Sequence, residues 1–376
     1  MKKIKMVDLH TQYLRHSEDI DYAIREVIHS TAFIKGPDVQ LFQQELADYM
    51  MVDHCITCGN GTDALQIAMM ALGLQPGDEV ITTPFTFVAT VEVISLLGLK
   101  PVFVDIDPGT FNLDASKLEQ VLTNRTKAIV PVHLFGQAAS MNSILKFARN
   151  NNLFVIEDNA QAIGATYRLA DGSSGKAGAL GDIGCTSFFP SKNLGAFGDG
   201  GALFTNDAAL AQRIGSLVNH GMTRRYHYDH VGVNSRLDTI QAAILRVKLK
   251  FLDEYNAARQ EVAKTYDTAF SKISGLKIPE RDPGSEHIFH QYTLQVPGGQ
   301  RDALKEFLNQ QEIPAMIYYP VPLHLQKAYA ELGYREGSFP VAEELSEKVL
   351  SLPIHTEMED DQLETIISAV TNFFRQ

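Results

Sequence analysis

Between about residue 50 and residue 205 the chain alternates short runs that are apolar throughout with segments of helical periodicity. Few folds accept that pattern. The apolar runs read as strands over His54–Cys58, Glu79–Thr82, Pro101–Val104, Ala128–Val132, Leu153–Glu157, Cys185–Phe189 and Gly201–Phe204. Among the segments between them, Thr62–Leu72 sets Ala64, Ile67, Ala68, Ala71 and Leu72 at helical spacing. Strands that are apolar on both faces need cover on both sides, so an α/β fold with a mostly parallel sheet is expected. A longer helical stripe follows through Leu237, Ile240, Ile244, Val247 and Phe251. After Asp253 the character changes to a helix, a polar break around Pro279–Glu286, a strand over His290–Val296 and a helix over Arg301–Gln311. A Pro-punctuated segment at 318–322 and a helix over Asp360–Phe374 close the chain. We expect a large α/β domain with an N-terminal arm over residues 1–250 and a smaller α+β domain over 251–376.

Composition narrows the function classes. The 376 residues can bury a large core without disulfides. With 33 Lys and Arg against 45 Asp and Glu the net charge is -12, which argues against a nucleic-acid binder. No apolar run approaches the ~18 residues of a membrane helix, and Lys2 and Lys3 are not followed by a secretory apolar core. A cytoplasmic protein without a membrane partner is therefore expected. Cys55 and Cys58 form a C-x-x-C, but an offset of three on a strand sends the thiols to opposite faces. Buried strand cysteines fit better than a redox or zinc role, and no metal site is expected.

Three segments carry candidate chemistry. Gly59-Asn60-Gly61-Thr62-Asp63-Ala64 joins a strand to a helix, where glycines let the backbone approach a phosphate and free N–H groups attract it. The same letters fit the G-x-G-x-x-A of nicotinamide dehydrogenases. The acidic residues near the required spacing, Asp78 and Glu79, precede the next strand instead of ending it, which weakens that alternative. A turn that merely caps a helix fits equally well. In Phe154-Val155-Ile156-Glu157-Asp158-Asn159-Ala160-Gln161 a strand ends in carboxylates, so Asp158 could hold a protonated ring nitrogen, a metal, or the next helix. Asp105-Ile106-Asp107 matches the metal-binding D-x-D of glycosyltransferases, but Pro108-Gly109 favours a structural turn. The third segment runs from Thr186 to Gly201 and places Lys192 in a turn rich in hydroxyls and glycines. Partial burial there lowers a lysine toward nucleophilic competence. No G-x-x-x-x-G-K-[ST] occurs, so this is not a nucleotide P-loop.

Taken in order, Gly59–Leu65, Pro84–Thr90, Glu157–Gly164, Ser187–Gly201 and Val233–Ala242 resemble the motifs of the DegT/DnrJ/StrS sugar aminotransferases. These are pyridoxal 5'-phosphate enzymes of the aspartate-aminotransferase fold (fold type I). The resemblance implies that Lys192 forms the Schiff base with the cofactor and that Asp158 pairs with its pyridinium nitrogen. It implies that Gln161 sits near the phenolic oxygen, and that Phe87 stacks on the ring. Gly61, Thr62, Asp63 and Ser187 would cup the phosphate. Asn234 would reach the phosphate of a neighbouring subunit's cofactor, which implies a homodimer with shared active sites. A lysine at position 192, where a dehydratase branch carries histidine, implies transamination with L-glutamate as donor.

For the acceptor, His220–Met222 and Arg225–Arg236 look closest to the WbpE-type branch, which aminates UDP-2-acetamido-2-deoxy-3-oxo-glucuronate for surface polysaccharides. Arg236, Tyr318, Tyr319 and His324 are the expected substrate contacts. Arg224–His230 is a local basic cluster that suits an anionic sugar nucleotide or a solvated loop. Tyr318 replaces the histidine that many relatives carry, which keeps a dTDP-3-keto-6-deoxyhexose as the second acceptor. The readings from other classes are a nicotinamide dehydrogenase and a regulator built on the same scaffold.

Overall fold

The computed structural model describes residues 3–375. Its centre is a seven-stranded sheet of β1 (His54–Cys58), β2 (Glu79–Thr82), β3 (Lys100–Phe103), β4 (Thr126–Ile129), β5 (Phe154–Asp158), β6 (Ile183–Ser187) and β7 (Gly201–Thr205). The strands lie in the order β1-β7-β6-β5-β4-β2-β3. β2 pairs in parallel with β3 and β4, β4 with β5, and β5 with β6. β7 pairs antiparallel with β6 and with β1, so it alone runs against the other six. The alternation in the sequence thus becomes a mostly parallel sheet. β4 ends three residues earlier than expected because Pro131 has no N–H for the ladder, although its carbonyl still accepts Asp158 N–H at 2.9 Å.

Both faces of the sheet are buried, as apolar runs demand. Cys58, Ile67, Val80, Ile156 and Leu203 share one cluster, while Val102, Ile129, Val155, Ile144 and Phe147 share another. Cys55 lies in a third with Phe42 and Leu46, so the two thiols of the C-x-x-C do face opposite ways. Burial raises both thiols, and all three cysteines are free.

A second core gathers Tyr266, Phe270, Tyr292, Leu294, Leu350 and Ile366, and Ile4 joins it from the start of the chain. Here Tyr292–Gln295 pairs antiparallel with Val349–Leu352, a strand too short to be read from its own four residues. A further cluster sets Leu323, Phe339 and Leu345 against Phe85 and Phe103 of the sheet half. Burying each such aromatic is worth about 1.5–3 kcal/mol, so the segment after residue 317 is held firmly over the carboxyl ends of β2 and β3.

Candidate active site

The carboxyl ends of β1, β5 and β6 meet at one cavity of about 600 Å³. Helix Gly61–Ala71 starts at its edge. Asn60 caps that helix, its Oδ1 accepting Asp63 N–H at 2.8 Å, which leaves Gly61 and Thr62 N–H as first-turn donors. A Cβ on Gly61 would lie 2.7 Å from Ser187 Cβ, so only glycine lets the helix start come against the end of β6. Ser235 completes the corner. Its Oγ accepts Gly59 N–H at 2.8 Å and donates to Asp63 Oδ2 at 2.6 Å, turning that carboxylate toward the protein.

At the end of β5 two adjacent carboxylates have different fates. Glu157 is fully buried and accepts Gly178, Leu180 and Gly181 N–H at 2.9, 2.6 and 2.6 Å. His133 lies 2.8 Å away through Nε2, and its Nδ1 accepts Ala139 N–H, so Nε2 carries the proton and donates to Glu157. Asp158 instead faces the cavity. Its Oδ2 accepts Thr90 Oγ1–H at 2.8 Å and its Oδ1 accepts Ala160 N–H at 3.2 Å. Gln161 accepts Phe135 N–H at 2.8 Å and donates to the Tyr319 hydroxyl at 3.2 Å, tying the β5 loop to the C-terminal segment.

Lys192 lies in the loop from β6 to β7 and lines the same cavity. Burial pulls its ammonium down to about 8 against the opposing attraction of Asp158. The loop itself is pinned from both sides. Lys248 donates to Gly195 O, and Asn193 Nδ2 donates to Asn256 Oδ1 at 2.8 Å and to Ile288 O at 3.4 Å.

Of the nine residues expected at the cofactor, eight line this cavity and only Asn234 does not. Asn234 is exposed and its backbone pairs with Asn219. Tyr318 and Tyr319 line the cavity, and burial raises both phenols. Arg236 and His324 do not line it, and the exposed hairpin of Met222–Arg224 and His227–Tyr228 stands away from it as well. The position of His324 corrects the expectation. The ring is buried, donates from Nε2 to Glu343 Oε1 at 2.9 Å and packs edge-on against Phe339. Sequence reasoning gave no role to Ser235, although it lies within the Val233–Ala242 motif, nor to His290 and Gln291, which belong to no local pattern with chemical meaning. Asp105 accepts Val341 and Ala342 N–H, and Asp107 accepts Gly109 and Thr110 N–H, which gives the D-x-D its structural role.

These groups fit pyridoxal phosphate. A helix start with free N–H groups beside a hydroxyl suits a phosphate, a fixed carboxylate suits a pyridinium, and a lysine near 8 suits a reactive carbonyl.

Comparison with known proteins points the same way. The profile of the DegT/DnrJ/EryC1/StrS aminotransferase family matches residues 15–371. A pleiotropic regulatory protein of Geobacillus stearothermophilus is 46% identical over 99% of both chains. The UDP-2-acetamido-2-deoxy-3-oxo-D-glucuronate aminotransferase of Pseudomonas aeruginosa is 45% identical over 98% of this chain and 100% of its own. The crystal structure of S. venezuelae DesV in complex with a ketimine intermediate superposes with a TM-score of 0.96, at 37% identity and full coverage of both chains. The chain belongs to the DegT/DnrJ/EryC1/StrS aminotransferase family and is a pyridoxal-phosphate-dependent aminotransferase of nucleotide sugars.

Proposed function

We propose that the chain moves the amino group of L-glutamate to the 3-keto carbon of UDP-2-acetamido-2-deoxy-3-oxo-glucuronate, for surface polysaccharide synthesis. The observation that carries the chemistry is a lysine held at about 8 in one cavity with Asp158 and the start of helix Gly61–Ala71. The full-length likeness to the Pseudomonas aeruginosa enzyme supports the acceptor.

When bound, pyridoxal phosphate supplies an electron sink for the charge of the breaking C–H bond. The chain supplies the rest. Gly61 and Thr62 N–H and the Ser187 hydroxyl receive the phosphate, and Asp158, steadied by Thr90 and Ala160, holds the proton of the ring nitrogen. Phe87 covers the ring. Lys192 Nζ takes a proton from the donor carbon and returns it one position away, work suited to an amine that titrates near neutrality.

Phe87 and Phe189 are exposed in the cavity lining, and Asn234 and the basic hairpin lie outside that lining. A homodimer that brings Asn234 and Arg236 to the neighbouring site accounts for both facts. We place the enzyme in the cytoplasm, where three free, buried cysteines are at home. Among the described residues no helix is long and apolar enough to cross a membrane.

Tyr318 keeps a hydroxyl but no imidazole at the cavity, which favours a dTDP-3-keto-6-deoxyhexose as the second reading. Turnover of L-glutamate with a panel of UDP- and dTDP-linked 3-keto and 4-keto sugars decides between them. The UDP-linked uronate is expected to give the highest kcat/KM. A dTDP sugar that surpasses it establishes the second reading. Absence of turnover with every acceptor favours a regulator, as the name of the Geobacillus stearothermophilus relative suggests for that protein.

A further inference from the structure

Asp63 is an anion at a place where a phosphate site calls for donors alone. It lies in the first turn of helix Gly61–Ala71 and lines the cavity, beside the Gly61 and Thr62 N–H groups that would receive a phosphate. Its own N–H is taken by Asn60 Oδ1 at 2.8 Å, so it brings the cup a negative charge and no free backbone donor. Two anions at one helix start compete for the same N–H groups and repel each other. Among the described residues the Asp63 carboxylate has one hydrogen-bond partner, the hydroxyl of Ser235 at 2.6 Å. A carboxylate only accepts, so the Ser235 proton points at Asp63 Oδ2, and Gly59 N–H at 2.8 Å takes a lone pair on the same hydroxyl oxygen. Ser235 itself is fixed. The residue is 2% exposed, its N–H donates to Val218 O at 3.0 Å, and Val233 N–H donates to Leu217 O at 2.8 Å, which ties it to the end of helix Ala208–Leu217. The corner has no slack, since a Cβ on Gly59 would stand 3.0 Å from Asp63 Oδ2 and 3.2 Å from Ser235 Oγ.

We propose that Ser235 is a positioning residue for the cofactor phosphate, holding the Asp63 carboxylate beside Gly59 so that the donors at the helix start meet the phosphate without a competing anion. The inference rests on the reading of that helix start as the phosphate cup. Without the Ser235 hydroxyl, the Asp63 side chain turns about Cα–Cβ toward the free N–H groups of its own helix start and sets its charge against that of the phosphate.

The test is to make Ser235→Ala both in the wild-type chain and in an Asp63→Asn background, where the side chain carries no charge. Equilibrium dialysis of the full-length, cofactor-free protein gives the Kd of pyridoxal phosphate and of pyridoxal, which lacks the phosphate. In the wild-type chain Ser235→Ala is expected to weaken pyridoxal phosphate about tenfold and pyridoxal less than about threefold. In the Asp63→Asn background the same substitution is expected to weaken pyridoxal phosphate less than about threefold. An equal loss in both backgrounds, an equal loss for both ligands, or no loss at all overturns the proposal. A loss transmitted through the neighbouring Asn234 persists in both backgrounds and therefore counts against it. The reading of the cup fails separately, if Ser187→Ala binds pyridoxal phosphate as tightly as the wild type.

Discussion

The floor of the cavity and its C-terminal wall are built in different ways. Floor residues come in contiguous stretches, Asn60–Asp63, Asp158–Gln161 and Ser187–Lys192, each at the carboxyl end of a strand of one sheet. The wall consists of His290, Gln291, Tyr318 and Tyr319, which reach the cavity only through packing against the sheet half. Their supports are long-range, with Arg259 gripping the carbonyls around His290 and Gln161 holding Tyr319. Chemistry common to many aminotransferases therefore sits on the rigid floor. On the proposed reading, discrimination among sugars would fall to the wall, which can change without disturbing the sheet.

The strongest challenge to this division is on the floor. In the proposed mechanism Lys192 is both the anchoring amine and the proton carrier, so Lys192→Ala should lower transamination at least 10³-fold. Turnover above a tenth of wild type, measured with L-glutamate and the best acceptor, would place the decisive group elsewhere.

Protons distinguish the two regions next. In the C-terminal half, burial holds His287 at about 3 and His355 at about 4, with Arg281 and Arg259 adding to the depression. Below pH 6.5 the unfolded chain takes protons that these rings refuse, so stability falls on acidification. The two together should remove about 3 kcal/mol between pH 6.5 and pH 5. Behind the floor, burial holds Lys248 at about 8, so its charged form weighs against folding until the pH passes that value. Stability should recover by about 1.5 kcal/mol between pH 8 and pH 9.5, and Lys248→Met should abolish that rise. Urea melts at four pH values test both windows. A flat profile would contradict the burial of these groups.

Legibility followed the same line. The seven strands and the residues at their ends were readable because apolar runs, caps and glycine turns are local, and Gly61 and Lys192 sit inside such patterns. Ser235 gives no local sign of its role, because its bond to Gly59 spans 176 residues. His290 opens an expected strand, and periodicity says nothing about what faces a cavity made by another part of the chain. Val349–Leu352 becomes a strand only through its partner Tyr292–Gln295. Asn234 and Arg236 are the reverse case, expected from resemblance alone and lying outside the cavity lining.

His324 sharpens the boundary of the wall, because it stands five residues from Tyr319 and yet serves another purpose. Burial lowers its imidazole in spite of the hydrogen bond to Glu343, so it donates from Nε2 as a neutral ring. Glu343 also accepts Gly337 and Phe339 N–H at 2.7 and 3.0 Å, and these donors outweigh the burial that would raise its carboxyl. The cluster closes the start of helix Pro340–Lys348, whose N–H groups at Val341 and Ala342 are taken by Asp105. His324→Phe removes one donor from a carboxylate that keeps two others. It should cost about 1–2 kcal/mol in a urea melt and leave the KM for the sugar within about twofold of wild type. If KM instead rises tenfold at unchanged stability, the ring reaches the substrate after all. The wall would then extend past Tyr319 into the segment that holds it down.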